Sequence, residues 1–398
     1  MERKSSGCGG CLFSILILLL LVGGIYCFMT GGYNTIKNIE VGKEATTEQR
    51  AEPEAGNEKA ETYYYRAQLT NKEQSIYDDL YQGLTDLEES IKIKSRDSDE
   101  VEKIWYAVLY DHPEIFWCRG GYKLYYLKIG FSMTLEPEYV YAKNEISEKS
   151  AKMEEIAKEI AKDNEGKNDY QKILATYRFV IKNTDYEEDA PNNQYIDSVL
   201  IGKKSVCAGY SKAIQYLLQK QDIFCTYVSG TAESSTGRGA HAWNIVLCNG
   251  KFYHLDATWG DPNYDGNGTT TDGITYDYML CNDELIGRTH NADNSVFNHP
   301  KCDSLDWYYY CVNQRYFTNY DRNEIWNLIC YDIDQKSSNS TFKFANDDAY
   351  YDAKDDILED FTQDGMDRIQ RKYHIKGKVT CSYIDEKSMD KIIIYWKY

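Results

Sequence analysis

Residues 241–256 read HAWNIVLCNGKFYHLD, two apolar-rich runs joined by Asn249-Gly250. Asn-Gly is the strongest two-residue hairpin signal, because a type I′ turn needs positive φ at both central positions. The turn sets a register in which Cys248 faces Lys251, Ile245 faces His254 and Trp243 faces Asp256. Side chains alternate along a strand, so His241, Trp243 and Asp256 share one face. His241 and Asp256 are then diagonal neighbours, their backbones ~7–8 Å apart and their side chains able to meet. A carboxylate so placed fixes the imidazole tautomer and supports its positive form. His254 lies on the same face and reads as structural. Asp261, beyond the strand, is a weaker orienter than Asp256, and Trp243 reads as core more than as groove wall.

Upstream, SVCAGY at 205–210 precedes an apolar stripe at Ala213, Ile214, Leu217 and Leu218, the pattern of a helix that begins at Cys207. Ser205 or nearby backbone is the expected cap. A thiol at a helix N-terminus faces unpaired N–H groups and the positive end of the dipole, which favours thiolate and an oxyanion beside it. Alone, such a cysteine is more often packed core than catalyst. The histidine and carboxylate on one face of the following hairpin shift the balance, because a thiol nucleophile needs a base that is itself held in place.

The three blocks V-C-x-G-Y at Cys207, H-A-W-N at His241 and L-D-A-T-W at Asp256 resemble the transglutaminase-like (papain-like) superfamily, particularly its bacterial, membrane-anchored type. The resemblance spans roughly residues 145–265 and implies an α+β fold, a nucleophile helix packed on an antiparallel sheet. It implies that Cys207 attacks a carbonyl, that His241 takes the thiol proton and delivers it to the leaving amine, and that Asp256 orients His241. Water then hydrolyses the thioester, or a lysine amine captures it as a crosslink. Family members also use a side chain upstream of the cysteine for the oxyanion; Gln194 and Tyr186 are the candidates, and no motif chooses between them.

The rest of the chain supplies the setting. Of 398 residues, 63 are acidic and 45 basic, a net charge of −18 that argues against binding nucleic acid or anionic lipid. Residues 11–29 form an uncharged apolar run long enough to span a bilayer, preceded by Arg3 and Lys4. Residues 1–34 therefore read as a cytoplasmic tail and single-pass anchor that leaves the remainder extracellular. A cleaved signal peptide is the competing reading, and no small-residue cleavage site follows the run. Residues 35–61 read as a tether, 62–144 as an accessory α/β region with a hairpin suggested around Gly120-Gly121, 145–300 as the catalytic core, and 301–398 as a C-terminal α+β extension. In that extension a helix is expected near 352–372, then a strand pair turned at 385–387. Nine cysteines follow the anchor, an odd number compatible with one free nucleophile and up to four disulfides.

The function expected is an anchored cysteine peptidase or amidase acting on protein or cell-wall peptides. The alternatives are a protein-glutamine transamidase, crosslinking or deamidating, and a catalytically inactive surface scaffold. No glycine-rich phosphate loop or nucleotide fingerprint is present, so no cofactor is expected. Asp261, Asp265, Asp272 and Asp277 read as a solvated acidic loop rather than a calcium site, and His290 and His299 lack zinc-ligand spacing. The sequence assigns no oligomeric state.

Overall fold

The computed structural model describes residues 63–126, 132–234, 237–261 and 273–398. The apolar run at 11–29, the tether and the acidic loop at 265–272 lie outside them. Among the described residues no helix is long and apolar enough to cross a membrane.

The first region packs helices α1 (Asn71–Asp86) and α2 (Ser98–Asp111) with strands β1 (Ile91–Ile93), β2 (Cys118–Tyr126) and β3 (Met133–Tyr139), ordered β1-β3-β2. A reciprocal Thr70–Glu73 capping box starts α1, and the Asp97 carboxylate caps α2. The expected hairpin forms between β2 and β3, but the Gly120-Gly121 pair is not its turn. The glycines sit inside β2 at a register shift between Cys118 and Tyr122, with Gly120 at φ +76°, a bulge.

Helices α3 (Lys143–Asp163) and α4 (Asp169–Lys182) lead into two short parallel strands, β4 (Asp185–Tyr186) and β5 (Lys204–Ser205), and then α5 (Cys207–Gln219). Behind α5 stands an antiparallel sheet of β6 (Cys225–Ser234), β7 (Gly237–Cys248), β8 (Lys251–Leu255), β9 (Met279–Cys281) and β10 (His290–Ala292), ordered β10-β6-β7-β8-β9. The β7–β8 hairpin has the expected register: Cys248 pairs with Lys251 and Ile245 with His254. Asn249 and Gly250 both take positive φ, as the type I′ turn requires. Asn244 ties the helix to the sheet, its amide donating to Ser211 O at 3.0 Å and Thr226 O at 3.2 Å.

The final region is a mixed sheet of β11 (Tyr316–Phe317), β12 (Asn339–Phe344), β13 (Thr380–Glu386) and β14 (Lys391–Lys397), ordered β11-β12-β14-β13 and covered by helices. These are α6 (Arg322–Asp334), α7 (Asp347–Asp355) and α8 (Thr362–Lys372), with a π-helical stretch, Asp356–Phe361, joining the last two. The helix thus starts earlier than the apolar pattern indicates, at the Asn346 cap. The β13–β14 reversal runs through Lys387–Met389 and Asp390 at φ 46°, a little beyond the expected turn.

Two large apolar cores and two smaller clusters result. One large core runs from Tyr64 to Tyr310 and takes in Met389, so the first region and the sheet-bearing core share their interior, and the other lies within residues 317–396. Between the second and third regions, buried Asp277 faces Lys391 and, at 3.4 Å, Lys343. Asp277 and Asp261 are therefore not part of a solvated acidic loop; each is buried on a specific partner, Asp261 on the Tyr210 hydroxyl at 2.7 Å. All nine cysteines among the described residues are unpaired thiols.

Candidate active site

Cys207 opens α5 and is half-buried. Its position is set from behind by a loop carbonyl: Asn193 O accepts from Val206 N at 3.2 Å and from Ser205 Oγ at 2.7 Å. Gly209 permits that approach, because a β-carbon there would lie 2.0 Å from Ser205 Oγ and 2.7 Å from Asn193 O. Ser205 is not the helix cap; its hydroxyl is committed to Asn193 and, at 2.7 Å, to Ser198. No side chain caps α5, so its opening N–H groups lack a side-chain acceptor at the end where the sulfur sits.

On β7, His241 Nε2 bonds Asp256 Oδ2 at 2.8 Å, with both side chains buried. That leaves Nδ1 as the ring nitrogen open to a sulfur. Burial opposes the charged imidazolium, but the charge and hydrogen bond of Asp256 outweigh it and Cys207 adds to them, raising the His241 pKa to about 10. Burial also penalises the Asp256 carboxylate; His241, with help from His290, overcomes this and holds it well below the usual carboxylate range. Asp256 Oδ1 accepts the backbone N–H groups of Thr258 at 2.8 Å and Trp259 at 3.2 Å.

A second histidine shares the carboxylate. His290 Nε2 lies 3.0 Å from Asp256 Oδ2, and its Nδ1 lies 2.8 Å from Thr289 Oγ1, which meets the Tyr278 hydroxyl at 2.7 Å. Burial lowers the His290 pKa despite Asp256, so the ring is a neutral donor. No local pattern marks His290 for this place, because β10 is three residues long and pairs with β6 across the sheet edge. Gly230 makes that pairing possible: a β-carbon there would lie 2.3 Å from Asn291 O and 2.9 Å from the Trp243 ring. A hydrogen bond to a charged acceptor contributes about 1.5–3 kcal/mol, of which part reaches the sulfur through Asp256 and His241. His290→Phe is therefore expected to slow alkylation of Cys207 about fivefold, measured by peptide mass mapping at neutral pH.

The other candidates fall into place as follows. Trp243 is 1% exposed, lies 6.0 Å from the His241 ring in a stacked orientation, and donates its indole N–H to His254 Nδ1 at 3.0 Å. Gln194 is half-buried on the Asn193 loop, its amide on Asn193 Oδ1 at 3.3 Å. Tyr186 pairs with Ser205, its ring 6.4 Å from that of Tyr210. Among the described contacts neither Gln194 nor Tyr186 is joined to Cys207.

Two groups of side chains converge closely enough for a metal ion, with ligand atoms within 4.8 Å: His241, Asp256 and His290, and separately His254, Asp283 and Cys302. In the first, the converging atoms already satisfy one another. In the second, His254 Nε2 bonds Asp283 Oδ1 at 2.9 Å and the backbone N–H of Cys302 donates to Asp283 Oδ2 at 3.0 Å. This second set also has the residue types of a catalytic triad. Its sulfur is fully buried, and burial drives the thiol pKa far above the ordinary value, which suits a brace rather than a nucleophile.

Residues 154–257 match the transglutaminase-like superfamily. The chain is 25% identical over 147 residues to the kyphoscoliosis peptidase of Mus musculus and 24% identical to that of Homo sapiens. Each match takes in 33% of this chain and 22% of the relative, so the chain spans about a fifth of the length of these curated relatives. Among solved structures it is similar to the periplasmic domain of TgpA from Pseudomonas aeruginosa, at 14% identity and a TM-score of 0.24, over 34% of this chain and 57% of that one. The α+β arrangement of the helix that begins at Cys207 and the antiparallel sheet, with the match over residues 154–257, resembles the transglutaminase-like, papain-like core.

Proposed function

We propose that the chain is a cysteine-dependent acyl-transfer enzyme, a peptidase or amidase acting on protein or cell-wall peptides, with Cys207 as nucleophile, His241 as base and Asp256 as orienting acid. The observation that carries this reading is the His241–Asp256 bond of 2.8 Å, with Cys207 among the groups that raise the His241 pKa. The proton of the sulfur rests on His241 Nδ1, as the raised pKa of that ring favours, and the sulfur attacks the carbonyl carbon. The oxyanion collects at the uncapped start of α5, with the opening backbone N–H groups as donors and Gln194 or Tyr186 as the candidate side chain. His241 returns the proton to the departing amine, the thioester forms, and water attacks it with His241 again as base. Hydrolysis is preferred over transamidation because no glutamine-donor or lysine-acceptor groove is evident in the sequence, and the mouse and human relatives are named peptidases. The apolar run at 11–29 would anchor the enzyme in a membrane with its catalytic region outside the cell.

Alkylation of every cysteine in the full chain, mapped by mass spectrometry, tests the assignment. Burial raises the thiol pKa of Cys118 and Cys311 to about 11 and that of Cys248 to about 12, so these should label slowly near pH 7. Cys207 is expected to label first, and His241→Ala to slow it by about 10²-fold, the usual size of a lost general base. Equal labelling of Cys207 and Cys311 in folded protein would overturn the assignment.

A further inference from the structure

In an acidic chain whose buried cations elsewhere sit on carboxylates, Lys212 stands apart. Lys343 and Lys391 face Asp277, Lys103 faces Glu73 and Arg315 faces Asp332. Lys212, half-buried on α5, has no carboxylate partner among the described residues; its ammonium lies 4.7 Å from the Tyr195 ring centroid and 5.8 Å from that of Tyr227. Asp197, an acid that acts on Tyr195, has its Oδ2 engaged, accepting from Lys149 at 3.1 Å and Tyr141 at 2.6 Å. Tyr227 connects this cation to the site, because its ring packs with Ala208, Ala242 and Cys207. Tyr110, from the first region, closes the same cluster, its ring 4.9 Å from that of Tyr227. A second cation, Arg119, is exposed on β2 and works against the burial that raises the Tyr195 pKa, and it too has no carboxylate partner among the described residues.

We propose that Lys212, with exposed Arg119 as a second cation, forms an anion subsite next to Cys207 that selects substrates bearing a carboxylate side chain one or two residues from the attacked carbonyl. The inference rests on the acyl-transfer reading for its substrate. At ~3.3 Å of chain per residue, a residue or two spans the width of the tyrosine ring that separates sulfur from ammonium. Burial without a counter-charge pulls the Lys212 pKa down to about 8, a cost that an incoming carboxylate relieves. The tyrosine rings hold the ammonium through their π faces while leaving its hydrogen-bond donors for a ligand.

The test is binding, which needs no turnover. The full chain carrying Cys207→Ala, in mild detergent, is titrated into fluorescein-labelled pentapeptide mixtures with one position fixed as Glu, Gln or Lys, and read by anisotropy. The Glu mixture is expected to bind at least tenfold tighter than the Gln mixture. Adding Lys212→Met should bring Glu down to the Gln level, Lys212→Arg should keep most of the difference, and Arg119→Ala, on an exposed side chain, should cost about threefold. Equal binding of Glu and Gln mixtures by the Cys207→Ala chain, or an equal loss for both on adding Lys212→Met, overturns the proposal. Alkylation of the intact chain separates the two readings. Normal Cys207 reactivity without acid preference defeats the subsite alone, whereas acid preference with an unreactive Cys207 defeats the enzymatic reading and leaves a carboxylate-binding groove.

Discussion

Asp256→Asn is expected to leave the fold standing and lower acyl transfer by about 10⁴-fold, because it reverses a tautomer. The carboxylate has four donors aimed at it, two imidazole N–H groups on Oδ2 and the Thr258 and Trp259 backbone N–H groups on Oδ1. The backbone donors cannot accept, so an asparagine must turn its oxygen to them and its NH₂ to the histidines. His241 Nε2 then becomes an acceptor, the ring proton moves to Nδ1, and the nitrogen facing the sulfur can no longer take a proton. The wild-type ring, with its pKa at about 10, keeps its charge across the neutral range. A raised histidine pKa contributes stability in full below the unfolded value of ~6.5 and loses it as pH climbs toward 10. The depressed Asp256 contribution is present above ~3.9 and fades in acid. In the asparagine variant both contributions vanish. Steady-state rates on any peptide that the wild type cleaves give the comparison, and a loss below tenfold would remove Asp256 from the mechanism.

The second large effect concerns stability. Asp277→Ala is expected to cost about 3–5 kcal/mol, the range for removing one partner from a buried ion set. Lys343 is 0% and Lys391 3% exposed, so both ammoniums would be left in the interior with Glu386, 2.8 Å from Lys391, as the remaining anion. Burial alone would push the Asp277 carboxyl upward, and the two lysines instead hold it below the usual range. Thermal unfolding should drop by about 10 °C, at ~2–4 °C per kcal/mol for a unit of this size. Replacing the whole set by apolar residues of similar volume, Asp277→Leu with Lys343→Met and Lys391→Met, should recover most of the loss. A single-variant cost under about 1 kcal/mol would show that water reaches the set. The damage should also spread to the site, because Tyr278, the next residue, accepts the Asp256 N–H at 3.2 Å through its carbonyl.

The His241–Asp256 contact was legible because an Asn-Gly turn fixes a register and a register fixes a face. The start of α5 was legible for a similar local reason, the apolar stripe that follows Cys207. Sheet order was not, and His290 shows why: a three-residue strand carries no period, and nothing local says that it will pair with β6 rather than β9. Ser205 deceived because a hydroxyl before a helix usually caps it, whereas here a loop carbonyl from twelve residues upstream claims it first. The Gly120-Gly121 pair deceived similarly, since a glycine's positive φ serves a bulge as well as a turn. Asp277 read as loop because its lysine partners lie 66 and 114 residues later in the chain.

The interior shared by the first two regions makes them one heritable unit. Tyr65, from the amino-terminal side, gives its hydroxyl to the Tyr227 carbonyl, and Gln68 exchanges two hydrogen bonds with Asn298. A gene fusion or domain shuffle that cut between them would separate Tyr110 from the Tyr227 ring, which shares an apolar cluster with Cys207. Lineages carrying this sheet-bearing core with a different amino-terminal partner would have had to rebuild that flank, and any drift in Tyr65, Tyr110 or Tyr227 should appear as correlated change across the boundary.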